Sequence, residues 1–243
     1  AGIDAILEGK TRYAAPDGLL SLKKAICEKL LRENQLTYST EEIVVSSGAK
    51  HAVFNAISAL INPGDEVIIP APYWVTYPEL VRYCGGIPQI ILTGEKNGFH
   101  LTAEALQAAL SPKSKLLILN SPNNPSGAVL TFKELEEIGR VVLENDLWVL
   151  SDEIYEHLVY GQARHISIAQ LSPELQKRTI LINGLSKAYA MTGWRVGYSA
   201  APRELSRRIA AMQGQTTHHP AVPSQIAAEA ALKSGLQTVH EMR

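Results

Sequence analysis

Apolar positions along this chain fall into two alternating kinds of run. Short apolar runs, most of them rich in Ile, Val and Leu, occupy 43–46, 66–70, 88–92, 116–120, 147–151, 179–183 and 195–200. Several are apolar at nearly every position, as in Leu116-Leu117-Ile118-Leu119 and Ile180-Leu181-Ile182. Such runs predict strands covered on both faces rather than strands with one wet face. Between them lie stretches with helical spacing at 19–33, 49–61, 76–83, 102–110, 132–145, 203–213 and 224–234. Thr131 and Glu134 form a capping box that sets the start of the helix at 132. This alternation predicts βαβ units: an α/β fold with a mostly parallel, doubly wound sheet and helices on both faces. In such sheets ligands bind beyond the carboxyl ends of the strands.

Composition narrows the field without naming a chemistry. A length of 243 residues fits one large domain or two small ones, and the uninterrupted pattern favours one domain over 1–243. With 46% hydrophobic and 19% charged residues, the chain can bury a substantial core. A net charge of −1 provides no basic surface for nucleic acid or anionic membrane. Neither a membrane-length apolar run nor a secretory leader is present. Cys27 and Cys84 are far apart and in no ligand spacing, so neither a disulfide framework nor a metal site is expected, and a cytoplasmic location is. The chain opens inside a helical pattern at Ala1 and stops at Arg243 without a stop signal; both ends are expected to continue in a longer protein.

The residues that follow the strands carry the chemistry. After 116–120 comes Ser-Pro-Asn-Asn-Pro-Ser-Gly (121–127), after 147–150 comes Ser-Asp-Glu-Ile-Tyr (151–155), and after 179–182 comes Asn-Gly-Leu-Ser-Lys (183–187). Asn124, Asp152 and Lys187 are thereby expected at one edge of one sheet. Ser46-Ser47-Gly48-Ala49-Lys50 is a strand-to-helix turn whose free amides and helix dipole suit an anion. Each feature alone has a bland reading: a turn for the Asn-Pro run, a cap for Asp152 or for the Ser-Ser-Gly turn, a surface amine for Lys187, core packing for Trp74. Together they match what pyridoxal 5'-phosphate (PLP) requires. An amine forms an imine with the aldehyde, a carboxylate keeps the pyridine nitrogen protonated, an anion site takes the phosphate, and an aromatic residue such as Tyr73 or Trp74 faces the ring.

At this point a family resemblance emerges. Tyr73-Trp74, Asn-Asn-Pro-Ser-Gly at 123–127, Ser-Asp-Glu-Ile-Tyr at 151–155 and Ser-Lys-Ala-Tyr-Ala-Met-Thr-Gly-Trp-Arg at 186–195 resemble class I aminotransferases of PLP fold type I. The likeness is to the aspartate aminotransferases of bacteria and plants, including those that also use prephenate, and it runs from about Gly9 to Ala231. It implies that Lys187 holds the cofactor and then moves the proton between Cα and C4′, while Asp152 pairs with the pyridine nitrogen. Tyr155 and Asn124 would donate to the phenolate oxygen, and Trp74 would stack on the ring; Trp74 and Asn124 also face substrate. The backbone of Gly48, Ala49 and Lys50, with Arg195, would hold the phosphate. Tyr13 would reach the phosphate of a neighbouring subunit, which implies a homodimer with shared sites.

The chain departs from the pattern at Gly184, where many relatives carry a phosphate-binding Ser. Ser186 is the candidate replacement. Lys50 is open between a contact to a distal substrate carboxylate and a solvated lysine. His218 and His219 are expected to be solvated. The small domain that supplies the arginine for the substrate α-carboxylate is expected to lie outside this chain.

The expected function is transamination between aspartate or glutamate and a 2-oxo acid, with prephenate as alternative or additional acceptor. PLP lyases share the fold, and a PLP-sensing regulator domain would require a basic helix-turn-helix module that this sequence does not show. No Gly-x-Gly-x-x-Gly follows the first strand, which sets aside a nicotinamide dehydrogenase.

Overall fold

The computed structural model describes residues 1–243. In chain order the helices are α1 (Gly2–Leu7), α2 (Leu20–Asn34), α3 (Ala49–Leu60), α4 (Thr76–Tyr83), α5 (Ala103–Ala109), α6 (Phe132–Glu144), α7 (Pro173–Gln176), α8 (Arg203–Gly214), α9 (Val222–Lys233) and α10 (Gln237–Met242). The strands are β1 (Ile43–Ser46), β2 (Glu66–Ala71), β3 (Ile87–Leu92), β4 (Ser114–Asn120), β5 (Trp148–Asp152), β6 (Thr179–Gly184) and β7 (Gly197–Ala200). They form a seven-stranded sheet in the order β1-β7-β6-β5-β4-β2-β3. The pairs β2–β3, β2–β4 and β4–β5 are parallel, and β1–β7 is antiparallel. None of the helices is long and apolar enough to cross a membrane.

The chain divides into two compact units: Ala1–Ala59 with Ile182–Arg243, and Leu60–Leu181. In the first, β1 and β7 are buried at every position. Successive strand side chains point to opposite faces, so both faces are covered. The helix α2 adds Leu22, Ile26 and Leu30, and α3 adds Ala52, Val53, Ala56 and Ile57 to this core. In the second unit the apolar residues of β4 and β5, Leu117, Leu119 and Val149, pack with Leu135, Ile138 and Val142 of α6. The capping box of α6 forms as the sequence predicts: the Glu134 amide donates to Thr131 Oγ1, and Thr131's own amide donates to Glu134 Oε2 at 2.8 Å. Strand β3 is largely exposed, as an edge strand is. All six residues of strand β6 are buried.

Two boundaries differ from the sequence reading in ways that matter for the site. Strand β5 runs through Asp152, so that residue ends the strand rather than following it. The run 195–200 is a strand only from Gly197, because Arg195 takes a left-handed conformation at φ 54° after a 3-10 turn.

Candidate active site

In the second unit the sheet register sets the arrangement. Asn120 and Asp152, the last residues of β4 and β5, are paired partners. The Asn120 amide donates to the Asp152 carbonyl at 2.9 Å and accepts the Asn124 backbone N–H at 2.7 Å. Asn120 therefore joins the Asn-Pro loop to the strand that carries the carboxylate. The residue before Asn124, Asn123, donates to the carbonyl of Pro72 at 3.3 Å, which ties the same loop to the segment bearing Tyr73 and Trp74. Asn124 and Tyr155 line one open cavity of about 590 Å³ together with His100 and Tyr160.

Asp152 is 3% exposed and its oxygens take neutral donors: the Tyr77 hydroxyl at 2.7 Å and the Ile154 amide at 3.3 Å. Burial lifts its carboxyl from an ordinary 3.8 to about 6, with Glu153 adding in the same direction and the two donors opposing. Burial and the neighbouring carboxylate also raise the Tyr77 hydroxyl well above its usual range, so it stays a donor. Tyr77 sits on the first turn of α4, and its ring meets Trp74 edge-on at 5.3 Å between centroids. A buried carboxylate served by neutral donors is suited to a cation, and a protonated pyridine nitrogen is one. This arrangement fits the pyridine nitrogen of PLP.

Beside it, Glu153 accepts from Ser151 Oγ at 2.7 Å and Ser167 Oγ at 2.6 Å, and pairs with His165 at 3.0 Å. Glu153, Glu156 and His165 bring ligand-type atoms within 4.8 Å. Both Glu153 oxygens are already engaged, so the cluster cross-links the loop that carries Tyr155.

In the first unit the predicted strand-to-helix turn is present. Gly48 has φ +89°, and α3 begins at the next residue, so the amides of Ala49 and Lys50 belong to its open first turn. The Arg195 guanidinium donates to the Thr192 carbonyl at 2.8 Å and reaches the Ser47 carbonyl at 3.5 Å. A Cβ on Gly48 would collide with that guanidinium, and a Cβ on Gly197 would collide with the backbone of Gly48 and Ala49. The turn is thus pressed between an arginine and a strand glycine, which leaves its amides and a fork-shaped cation together. That set fits a phosphate.

Lys187 is exposed in the turn after β6, and its carbonyl accepts from the Ala190 amide at 3.1 Å. The Leu185 amide donates to the Val196 carbonyl at 3.3 Å, which joins the Lys187 turn to the Arg195 segment. Ser186 is partly buried and Lys50 exposed. Tyr13 is 89% exposed, and its ring meets His218 and His219 at centroid distances of 5.4 and 5.9 Å. These histidines are half-buried, not solvated: His219 Nε2 accepts the Ala14 amide at 2.9 Å while Nδ1 faces the Pro220 carbonyl at 2.7 Å.

Within the second unit the structure therefore groups Trp74, Asn124, Asp152 and Tyr155. Within the first it groups Gly48, Ala49, Lys50 and Arg195, with Ser186 and Lys187 on an adjoining turn and Tyr13 on a separate aromatic cluster. The sequence reading missed Tyr77 and Asn120. Tyr77 had a signal, since it falls three residues after Trp74 at a helix start, where i and i+3 side chains meet.

Comparison with known proteins identifies the family. The family model described as aminotransferase class I and II matches residues 2–243. An aspartate aminotransferase of Bacillus sp. (strain YM-2) is 46% identical over the whole chain, which spans 62% of that relative. An aspartate/prephenate aminotransferase of Cereibacter sphaeroides is 48% identical over 94% of the chain and 57% of the relative. The crystal structure of the aspartate aminotransferase from Rhizobium meliloti superposes with a TM-score of 0.97 at 47% identity, covering 99% of this chain and 60% of that one. The chain thus spans about three-fifths of the length of these relatives, and across that span it belongs to the aminotransferase class I and II family.

Proposed function

We propose that the protein is a PLP-dependent aminotransferase that moves an amino group between aspartate or glutamate and a 2-oxo acid. The observation that carries this is Asp152, a fully buried carboxylate that ends a strand and is held by neutral donors. PLP, when bound, supplies an electron sink for the carbanion formed at the substrate's Cα.

The chain's own residues do the rest. Asp152 keeps the ring nitrogen protonated. With PLP in place, Lys187 would hold the aldehyde carbon with loss of water and, once displaced by the substrate's amine, would move the proton between Cα and C4′. Tyr155 and Asn124 donate to the phenolate oxygen, and Trp74 covers the ring and borders the substrate with Asn124. The backbone of Gly48, Ala49 and Lys50, with Ser186 and Arg195, holds the phosphate. Tyr13, projecting from its own subunit, reaches the phosphate of a second copy in a cytoplasmic homodimer. Prephenate is a second acceptor to be tested, supported by the relative at 48% identity that is named for it.

The test is spectroscopic and kinetic on the whole protein. PLP should give a pH-dependent absorbance and a borohydride-reducible bond, both lost in Lys187→Ala. Retention of the reducible bond in that variant removes Lys187 from the role. A coupled assay comparing oxaloacetate, 2-oxoglutarate and prephenate then ranks the acceptors.

A further inference from the structure

One buried amide lies behind both phosphate-directed groups of the first unit. Gln213, on the last turn of α8, is fully buried. Its Oε1 accepts from Ser46 Oγ at 2.6 Å and Asn55 Nδ2 at 2.9 Å. Its Nε2 donates to the Pro16 carbonyl at 2.5 Å and to the Val45 carbonyl at 2.8 Å. Val45 and Ser46 lead directly into the Gly48 turn, and Asn55 stands on α3, the helix that this turn opens. Pro16 lies three residues after Tyr13. A single side chain therefore uses its full donor and acceptor capacity on the anion turn at one end and the Tyr13 segment at the other.

The loop that follows reaches the same two places. Thr217 Oγ1 meets His51 Nε2 at 3.3 Å, and His51 Nδ1 in turn accepts the Ser47 amide at 3.3 Å. His219 accepts the Ala14 amide, next to Tyr13.

We infer that Gln213, with the loop to His219, is the positioning element that sets the subunit's own phosphate turn and the outward Tyr13 side chain in a fixed relation. This rests on the reading of both groups as phosphate-binding. Gln213 touches no phosphate itself. Its effect passes through backbone placement, so it should be felt by a ligand with a phosphate and not by the same ligand without one.

The experiment compares PLP with pyridoxal, which lacks the phosphate, on the whole PLP-free protein, alongside hydrogen exchange of the unliganded chain. Gln213→Met keeps the volume and removes all four bonds; Ser46→Ala removes one and serves if the first variant does not fold. The expected result is faster exchange at the amides of residues 14, 15, 17–19 and 47–50. It includes PLP affinity about tenfold weaker in Gln213→Met, equivalent to one net hydrogen bond to a charged group, a smaller loss in Ser46→Ala, and pyridoxal affinity unchanged within about twofold. Equal losses for PLP and pyridoxal would overturn the inference, since they mark general damage. Faster exchange with PLP affinity intact overturns it as well. A wild-type protein that binds both ligands equally refutes the phosphate reading itself, a distinct failure.

Discussion

At the scale of single residues, the decisive group is a carboxylate that folding makes harder to ionise. Because Asp152 titrates near 6 when folded and near 3.8 otherwise, the folded chain binds the extra proton between those pH values. Stability of the PLP-free protein should therefore fall as pH rises from about 4 through about 6, by about 3 kcal/mol in all. Denaturant melts across that range should show the decline, and Asp152→Asn should flatten it; an unchanged slope in the variant assigns the effect elsewhere. The same variant in the whole protein should bind PLP weakly and turn over poorly, and near-normal transamination would exclude Asp152 from the chemistry. Tyr77→Phe removes a donor from a buried charge and should cost about 1.5–3 kcal/mol above pH 6, with the decline shifted to higher pH. The placement of Asp152 at the end of one strand and Lys187 in the turn after another was legible because apolar runs lead up to each. Tyr77 and Gln213 act through partners 75 and 167 residues away, a relation no local pattern encodes.

Among elements, the strands were legible because double-sided burial leaves almost uninterrupted apolar runs, and α6 because its cap is written in Thr131 and Glu134. Thr131→Ala should cost about 1 kcal/mol, read as a lower melting temperature with the fold intact. The short helices α7 and α10, of four and six residues, escaped the sequence reading because one or two turns leave too little periodicity to see. The start of β7 was misplaced since 195–200 mixes a left-handed residue with a true strand. That strand's glycine has a consequence for α3. Gly197→Ala should push the first turn of α3 away and weaken PLP binding by at least about tenfold, the effect of a single lost charge-assisted contact. Calorimetric titration of the whole protein checks this, and wild-type affinity in the variant would show that the turn does not need the close approach.

For the molecule as a whole, the sheet order and the antiparallel β1–β7 pair lay beyond what alternation of elements can specify, because alternation counts βαβ units but does not order them. The exposed ring of Tyr13 belongs to this scale, since its proposed target is another copy of the chain. Sedimentation should give twice the subunit mass, and Tyr13→Phe should weaken PLP binding several-fold while leaving that mass unchanged. Finally, the amide of residue 213 answers to three separate stretches of the chain at once. Exchanges among homologues at positions 16, 46, 55 and 213 should accordingly be non-additive. Anyone grafting a foreign anion loop onto this scaffold will have to transplant its distant glutamine partner along with it.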